Sequence, residues 1–222
     1  HFNTFSKKEK VERIYPCRLQ SFLIQSREKK GNIMFQKLPN IQSGRLSLTP
    51  IQESDLEDLW RIYSNPVHFR WTPDTSTKNK ETLRKRIGHF QRDFDKKKRL
   101  FLALRLDGKL IGVLEAFDYK KRSASATIGY RLHEDVWNQG LASEALSLFC
   151  HYLTTACQLQ TIHAFVLPEN QASQKVLEKN DFRLQGHVTE NWKGHGEVTL
   201  LHFSLNHPSS SKKQGLNTCE IS

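Results

Sequence analysis

Val136-Trp137-Asn138-Gln139-Gly140-Leu141-Ala142-Ser143-Glu144-Ala145 is the stretch on which the reading of this chain turns. It follows directly on the strand-like run Ser123–Leu132. It opens a long amphipathic helix marked by Leu141, Ala145, Leu148, Phe149, Tyr152 and Ala156. The first amides of a helix have no intrahelical partner, and the helix dipole adds partial positive charge there. A diphosphate set against such an end is held by backbone N–H groups. Gly140 and Ala142 let the backbone come close to it, where larger side chains would stand in the way. With Gly140 the only glycine of the stretch, a GxGxxG dinucleotide fingerprint does not fit, and a P-loop does not fit because no Lys-Ser/Thr pair follows.

Working outward, Arg45–Thr49 alternates as a short strand. Ser54 is placed to cap a helix with Leu56, Leu59, Trp60 and Tyr63 on one face, and Asn65-Pro66 stops it. Leu83, Ile87, Phe90 and Phe94 mark a second helix. Leu100–Leu106 and Lys109–Tyr119 are strands joined at Asp107-Gly108, a hairpin signal. Thr161–Leu167 is a continuous apolar run, which predicts burial on both faces. Pro168 ends it, Ala172, Val176 and Leu177 mark another helix, and Phe182–Val188 and Glu197–Leu205 close as strands. The expected fold is α/β (α+β), a mixed, mostly antiparallel sheet of six to seven strands flanked by helices. Its strand–helix–strand unit at 123–167 is a right-handed parallel crossover.

The 222 residues suffice for one domain with a sizeable core. The 37% apolar and 26% charged composition is that of a globular protein, and no run approaches the roughly 20 apolar residues of a membrane span. Residues 1–33 are polar and basic, holding five of the eleven net positive charges. With only Met34 as a methionine, 1–44 is expected to be an N-terminal extension, 45–206 the folded domain and 207–222 a flexible tail. Cys150 and Cys157 share a helix face and are expected as buried, reduced thiols, which fits a cytoplasmic protein. No CxxC spacing or His cluster calls for a metal. The basic balance suits acidic partners, including nucleic acid, the ribosome or an anionic cofactor.

Two segments together carry a family resemblance. Ile128-Gly129-Tyr130-Arg131-Leu132 followed by Trp137–Ala145 is similar to the acetyl-CoA pyrophosphate loop of the GNAT acetyltransferases. Pro168-Glu169-Asn170-Gln171-Ala172-Ser173, with Val176–Phe182, is similar to that family's second signature. Asn65-Pro66-Val67 with Trp71 resembles the Asn-Pro turn of the RimJ/RimL-type branch. The likeness spans about 45–205. It implies the GNAT acyl-CoA N-acyltransferase fold, acetyl-CoA as cosubstrate and no metal. It also implies that the amides of Asn138, Gln139, Gly140, Leu141, Ala142 and Ser143 wrap the pyrophosphate. The pantetheine arm would pair with the free edge at Tyr130, Arg131 and Leu132, Asn170 would hydrogen-bond it, and Ser173 would lie near the sulfur. Three positions depart from the pattern: Trp137 stands three before Gly140 where Arg or Gln is usual, Asp181 replaces a glycine, and Thr127 replaces a strand Glu.

Acetyl transfer to an amine needs a deprotonated amine, a stabilised oxyanion and a leaving thiolate that is stabilised or protonated. No Cys–His or Ser–His pair is legible, so direct attack in a ternary complex is expected over a covalent acyl-enzyme. A backbone N–H near Arg131 or Leu132 would meet the oxyanion, and Ser173 would protonate the thiolate. Glu190 is the first candidate base and Glu115 the second. Trp71 and Trp192 are candidates for the acceptor groove, against a plain role as core or edge hydrophobes.

The branch likeness points to a protein N-terminal α-amino group as acceptor, with ribosomal association as one source of it. A small amine (an antibiotic, a polyamine or an amino acid derivative) is the alternative. A catalytically weak ribosome- or RNA-associated module is the third reading, although no RNA-binding motif with paired aromatics is present. Oligomeric state is left open, a homodimer included.

Overall fold

The computed structural model describes residues 36–192 and 194–207. Residues 1–35 of the expected 1–44 extension, and 208–222 of the expected 207–222 tail, lie outside them. The elements run β1 (Ile41–Ser43), β2 (Leu46–Pro50), α1 (Leu56–Tyr63), α2 (Lys80–Asp95), β3 (Arg99–Leu106), β4 (Lys109–Lys120), β5 (Ser125–Leu132), α3 (Leu141–Thr155), β6 (Thr161–Val166), α4 (Gln171–Lys179), β7 (Arg183–Trp192) and β8 (Gly196–Asn206). Short 3-10 turns at Glu53–Asp55, Pro66–Phe69 and Glu134–Val136 punctuate them.

The strands form one eight-stranded sheet in the order β1-β2-β3-β4-β5-β6-β8-β7. Every pair is antiparallel except β5–β6, the two strands that α3 connects. The mixed, mostly antiparallel class is as expected. The strand count is corrected by one, because Ile41–Ser43 pairs with β2 inside the stretch assigned to the extension.

Strand alternation builds two cores. On β3, Leu100, Leu102 and Leu104 face the cluster under α3 and α4, while Phe101 and Ala103 face the one under α1 and α2. Helices therefore cover both faces at the centre, which is why this strand reads as an unbroken apolar run. Phe90 of α2 stacks on Phe101 at 4.0 Å between ring centroids. The Asp107-Gly108 turn forms as predicted, both residues at positive φ (49° and 85°).

Three local expectations change. Ser54 does not cap α1; Gln52 and Asp55 form a capping box one turn earlier, with the Gln52 N–H donating to Asp55 Oδ2 at 2.8 Å. β6 is not buried on both faces. Ile162, Ala164 and Val166 pack into the cluster under α3, but Phe165 points to the opposite face and is 37% exposed. β7 runs on to Trp192, so Glu190 lies in a strand.

Candidate active site

The parallel β5–β6 ladder has only three rungs, Ser125↔Thr161, Ala126↔Ile162 and Thr127↔His163. Beyond them the strands part. β6 stays with β8 as far as Val166↔Leu201, and β5 stays with β4 as far as Gly112↔Leu132. The edge of β5 at Ile128–Leu132 therefore has no strand on its β6 side, and its outward backbone groups are open to an extended ligand. β4 and β5 lie so close at this end that a Cβ on Gly112 would come 2.7 Å from the Arg131 carbonyl oxygen.

At the mouth of this cleft stands the N-terminus of α3. Gly140 is its N-cap in the left-handed region (φ 77°), and no side chain caps the helix. The first inward bonds, from Ser143 N and Glu144 N, both go to Gly140 O at 3.1 Å. A Cβ on Gly140 would meet nothing within 4 Å, so the conformation, not crowding inside the protein, demands glycine. Asn138 is also at positive φ (61°), and the Gln139 side chain donates to Asp135 O at 2.9 Å. Leu141 is buried and anchors the loop. Asn180 Nδ2 donates to Ser143 O (3.2 Å), Ser143 Oγ (3.1 Å) and Val176 O (2.9 Å), tying the end of α4 to the start of α3. Asp181 follows in a left-handed turn (φ 64°), as its place in the sequence predicts. The loop thus presents free amides and the positive end of a 15-residue helix to the cleft.

Tyr130, Asn170 and Ser173 meet across the cleft. Asn170 Oδ1 accepts from Ser173 N at 3.1 Å, capping α4 and setting its first turn. The Ser173 Oγ lies 2.7 Å from the Tyr130 hydroxyl. Burial pushes the Tyr130 phenol up to about 12, with the Ser173 hydrogen bond pulling the other way.

Two candidate carboxylates sit apart. Glu115 on β4 stands opposite Gly129 of β5, and a Cβ on Gly129 would lie 3.0 Å from Glu115 Oε1. The missing side chain thus lets this carboxylate lie over β5 at the cleft. Burial pushes the Glu115 carboxyl above the usual range, opposed by the guanidinium groups of Arg99 and Arg131. Arg99 Nη1 is 3.6 Å from Oε2, and that buried oxygen has no hydrogen-bond partner among the described residues. Glu190 is exposed on edge strand β7, its Oε2 accepting from Trp192 Nε1 at 3.3 Å. Thr127 is buried and carries no base to this face.

On the α1/α2 side of the sheet, a cavity of about 430 Å³ opens between the segment 66–76 and the β7–β8 hairpin. Its walls are mainly apolar (Pro66, Phe69, Leu167, Trp192 and Val198), with Asp74 the one carboxylate. Trp192 lines it. Trp71 does not, being 37% exposed with the Arg70 guanidinium 5.4 Å from its ring centroid. Arg131 serves this side through its side chain, which lies over the Phe69 ring at 4.0 Å and donates from Nε to His68 O at 2.8 Å. Adjacent strand residues point to opposite faces, so Tyr130 meets α4 while Arg131 packs behind Phe69, one wall of the cavity. Sequence reading missed the Tyr130 hydroxyl, Asp74 and Phe69. The alternation could have found the first, but nothing local marks the other two.

The acetyltransferase (GNAT) domain family model matches residues 45–183. An uncharacterized N-acetyltransferase of Bacillus subtilis (strain 168), YoaA, is 29% identical over 150 residues, covering 67% of this chain and 85% of its own length. Among solved structures, RimL, the ribosomal L7/L12 alpha-N-protein acetyltransferase in complex with coenzyme A, superposes with a TM-score of 0.67 at 23% identity, covering 76% of this chain and 98% of its own. The Microcin C7 self immunity acetyltransferase MccE, in complex with acetyl-CoA and AMP, gives 0.68 at 18%, covering 74% and 94%. At these identities the two structures share the fold.

Proposed function

Because this chain belongs to the GNAT acetyltransferase family and is an acetyl-CoA-dependent N-acetyltransferase, we propose that its acceptor is the α-amino group of a protein or peptide N-terminus. The observation that carries this reading is the cavity between the segment 66–76 and the β7–β8 hairpin. Its walls are mainly apolar and hold a single carboxylate, Asp74. A neutral peptide end suits such walls. A polyamine or aminoglycoside would call for several carboxylates. The Asn65-Pro66 turn and Trp137 support a place in the RimJ/RimL-type branch, and RimL shares the fold. A ribosomal protein is one source of such a terminus, the catalytic unit is residues 45–206, and the buried thiols of Cys150 and Cys157 suit a cytoplasmic enzyme.

In this reading the amides of Asn138–Ser143 hold the diphosphate and the β5 edge at Tyr130–Leu132 takes the pantetheine, with Asn170 beside it. The acceptor amine enters from the cavity side past Trp192. An α-amino group with a pKa near 7.7 needs little help to lose its proton, and Glu115, raised by burial, takes it, directly or through water. The neutral amine attacks the thioester carbonyl, whose oxygen gathers charge against a backbone N–H near Arg131 or Leu132. The attacking nitrogen gives up its second proton to solvent. As the tetrahedral intermediate collapses, the C–S bond breaks, Ser173 gives its proton to the leaving thiolate, Tyr130 resupplies Ser173, and solvent reprotonates Tyr130. Glu115 replaces Glu190 as first choice because it lies over β5, whereas Glu190 is on the outer strand.

A small amine remains the second reading, favoured by a pocket volume of about 430 Å³, within the range of small-molecule sites. Incubation with acetyl-CoA and a panel of peptides with free and blocked N-termini, alongside small amines, with free thiol read out, separates the two. Turnover of free-ended peptides only is the expected result. Turnover confined to small amines overturns it.

A further inference from the structure

We propose that Glu134 is a positioning residue that couples the pyrophosphate loop to the acceptor segment, so that coenzyme binding at Gly140 sets the shape of the acceptor cavity. This rests on the cofactor and acceptor assignments above. Glu134 opens the 3-10 turn Glu134–Val136, which leads straight into the loop at 137–143. Its side chain reaches the other way. Asn65 Nδ2 donates to Glu134 Oε1 at 2.9 Å, and the carboxylate also contacts His68 Nε2. The Glu134 N–H faces the same nitrogen at 3.2 Å.

His68 is held from behind. Its Nδ1 lies 2.8 Å from Ile62 O, and since a carbonyl only accepts, Nδ1 carries the hydrogen. Glu134 Oε2 is buried beside Nε2, and with the hydrogen on Nδ1 that nitrogen accepts from the Glu134 N–H. Asn65 and His68 flank Pro66 and precede Phe69, both of which wall the cavity. Asn65 Oδ1 in turn accepts from Val67 N at 3.1 Å, so one amide both caps the 3-10 turn Pro66–Phe69 and grips Glu134. On the loop side, Trp137 stands edge-on to the His68 ring at 5.8 Å and donates from Nε1 to Leu132 O at 2.9 Å.

The Glu134 carboxylate, beside the Trp137–His68 ring contact, therefore joins two segments that belong to different ligands. The segment 65–69 shapes the acceptor cavity and makes no contact with α3's open amides. The loop 137–143 holds those amides. If 134–143 settles on binding the diphosphate, Asn65 and His68 settle with it, and the cavity wall is fixed before the amine arrives.

Hydrogen exchange of the full chain, with and without saturating coenzyme A, tests this. In the wild type, coenzyme A should slow exchange over residues 65–69 as well as over 137–143. Two variants break the link differently. Glu134→Gln removes the charge facing His68. Asn65→Ser keeps a capping oxygen for Val67 but cannot reach Glu134. Each should keep its coenzyme A Kd within about threefold of wild type, lose the ligand-induced protection of 65–69, and raise the acceptor KM by about five-fold or more at little changed kcat. Protection of 65–69 equal in wild type and both variants overturns the proposal, as does its absence in a wild type whose melting temperature rises with coenzyme A. If coenzyme A raises no melting temperature at all, the loop assignment falls first and the coupling falls with it.

Discussion

The Tyr130 hydroxyl lies 2.7 Å from the Ser173 Oγ, joining the free-edge strand β5 to the first turn of α4. Burial holds the phenol up at about 12, so Tyr130 keeps its proton across the working pH range and can hand it to Ser173. Ser173→Ala should lower kcat by about 100-fold, the lower range for a lost general acid, with the acetyl-CoA KM nearly unchanged. Tyr130→Phe should lower kcat by a smaller factor. An acid must be protonated to act, so its raised pKa moves any alkaline limb from the usual phenol value near 10 towards 12. A Ser173→Ala enzyme with wild-type kcat would reduce the pair to a packing contact.

Glu115 is proposed to accept the amine proton, and a base must be ionised to act. Burial raises its carboxyl, so the acidic limb of kcat/KM should sit above the ordinary carboxylate range. Glu115→Gln should remove that limb and cost about 100-fold or more in kcat/KM. Arg99→Gln removes a cation that holds the carboxyl down, 3.6 Å away, and should move the limb to still higher pH. Glu190→Gln, on the outer strand, should leave the profile alone. Rate measurements from pH 5 to 9 distinguish these outcomes.

How far the sequence announced this site depends on which atoms do the work. The cofactor loop is a matter of backbone, and its demands are local. Gly140 at φ 77° and Asp181 at φ 64° could be placed because turn geometry acts on the residue itself. Asn170 could be placed because a helix cap lies three residues from the amide it serves. The acceptor side is built from distant side chains. Phe69, Asp74 and Trp192 meet around one cavity only after the sheet orders β6, β8 and β7. Glu115 ranks above Glu190 only once Gly129 is seen beneath it, a cross-strand fact that no spacing records. The same limit explains Thr161–Leu167. Its apolar composition suggested two buried faces, but Phe165 points away from the cluster under α3 and α4 and is 37% exposed.

Gly140 tests the phosphate-binding loop directly. A saturating ligand at about 100 times its Kd should stabilise the wild type by about 2.7 kcal/mol, read as a rise in melting temperature with coenzyme A. Gly140→Glu places a carboxylate in the open space beside the free amides and should abolish the rise. Gly140→Ala adds no clash within 4 Å but strains a left-handed position, at a cost of about 1 kcal/mol, and should keep a reduced response. A full response from Gly140→Glu would move the diphosphate elsewhere.

Trp192 and Trp71 separate the acceptor cavity from its surroundings. Trp192 is 9% exposed and lines the cavity, whereas Trp71 is not part of its lining and lies behind the lining residue Arg70, whose guanidinium is 5.4 Å from its ring centroid. Trp192→Ala should raise the acceptor KM about ten-fold or more, the scale of a lost aromatic contact in a recognition site, and leave the acetyl-CoA KM unchanged. Trp71→Ala should change neither constant by more than about two-fold, since truncating most residues outside such a centre costs little. Equal effects from both would mean that the acceptor lies across the outer surface, not in the cavity.

Asn180 shows that the loop's stability and its ligand affinity share a support. Its Nδ2 serves Ser143 O, Ser143 Oγ and Val176 O at 3.2, 3.1 and 2.9 Å, so Asn180→Ala strips two contacts from the junction of α3 and α4 and a third within the end of α4. The net loss should be about 1–3 kcal/mol, because water replaces part of what is lost and Ser143 is left only partly satisfied. For a domain of this size that is a fall in melting temperature of roughly 2–4 °C per kcal/mol. Ser143 directly follows the open amides of Leu141 and Ala142 and its own N–H closes on Gly140 O, so the coenzyme A response should shrink along with the baseline. An apo melting temperature that falls while the coenzyme A Kd stays at the wild-type value would confine Asn180 to holding the helices together, and the loop would then owe its shape to Gly140 and Leu141 alone.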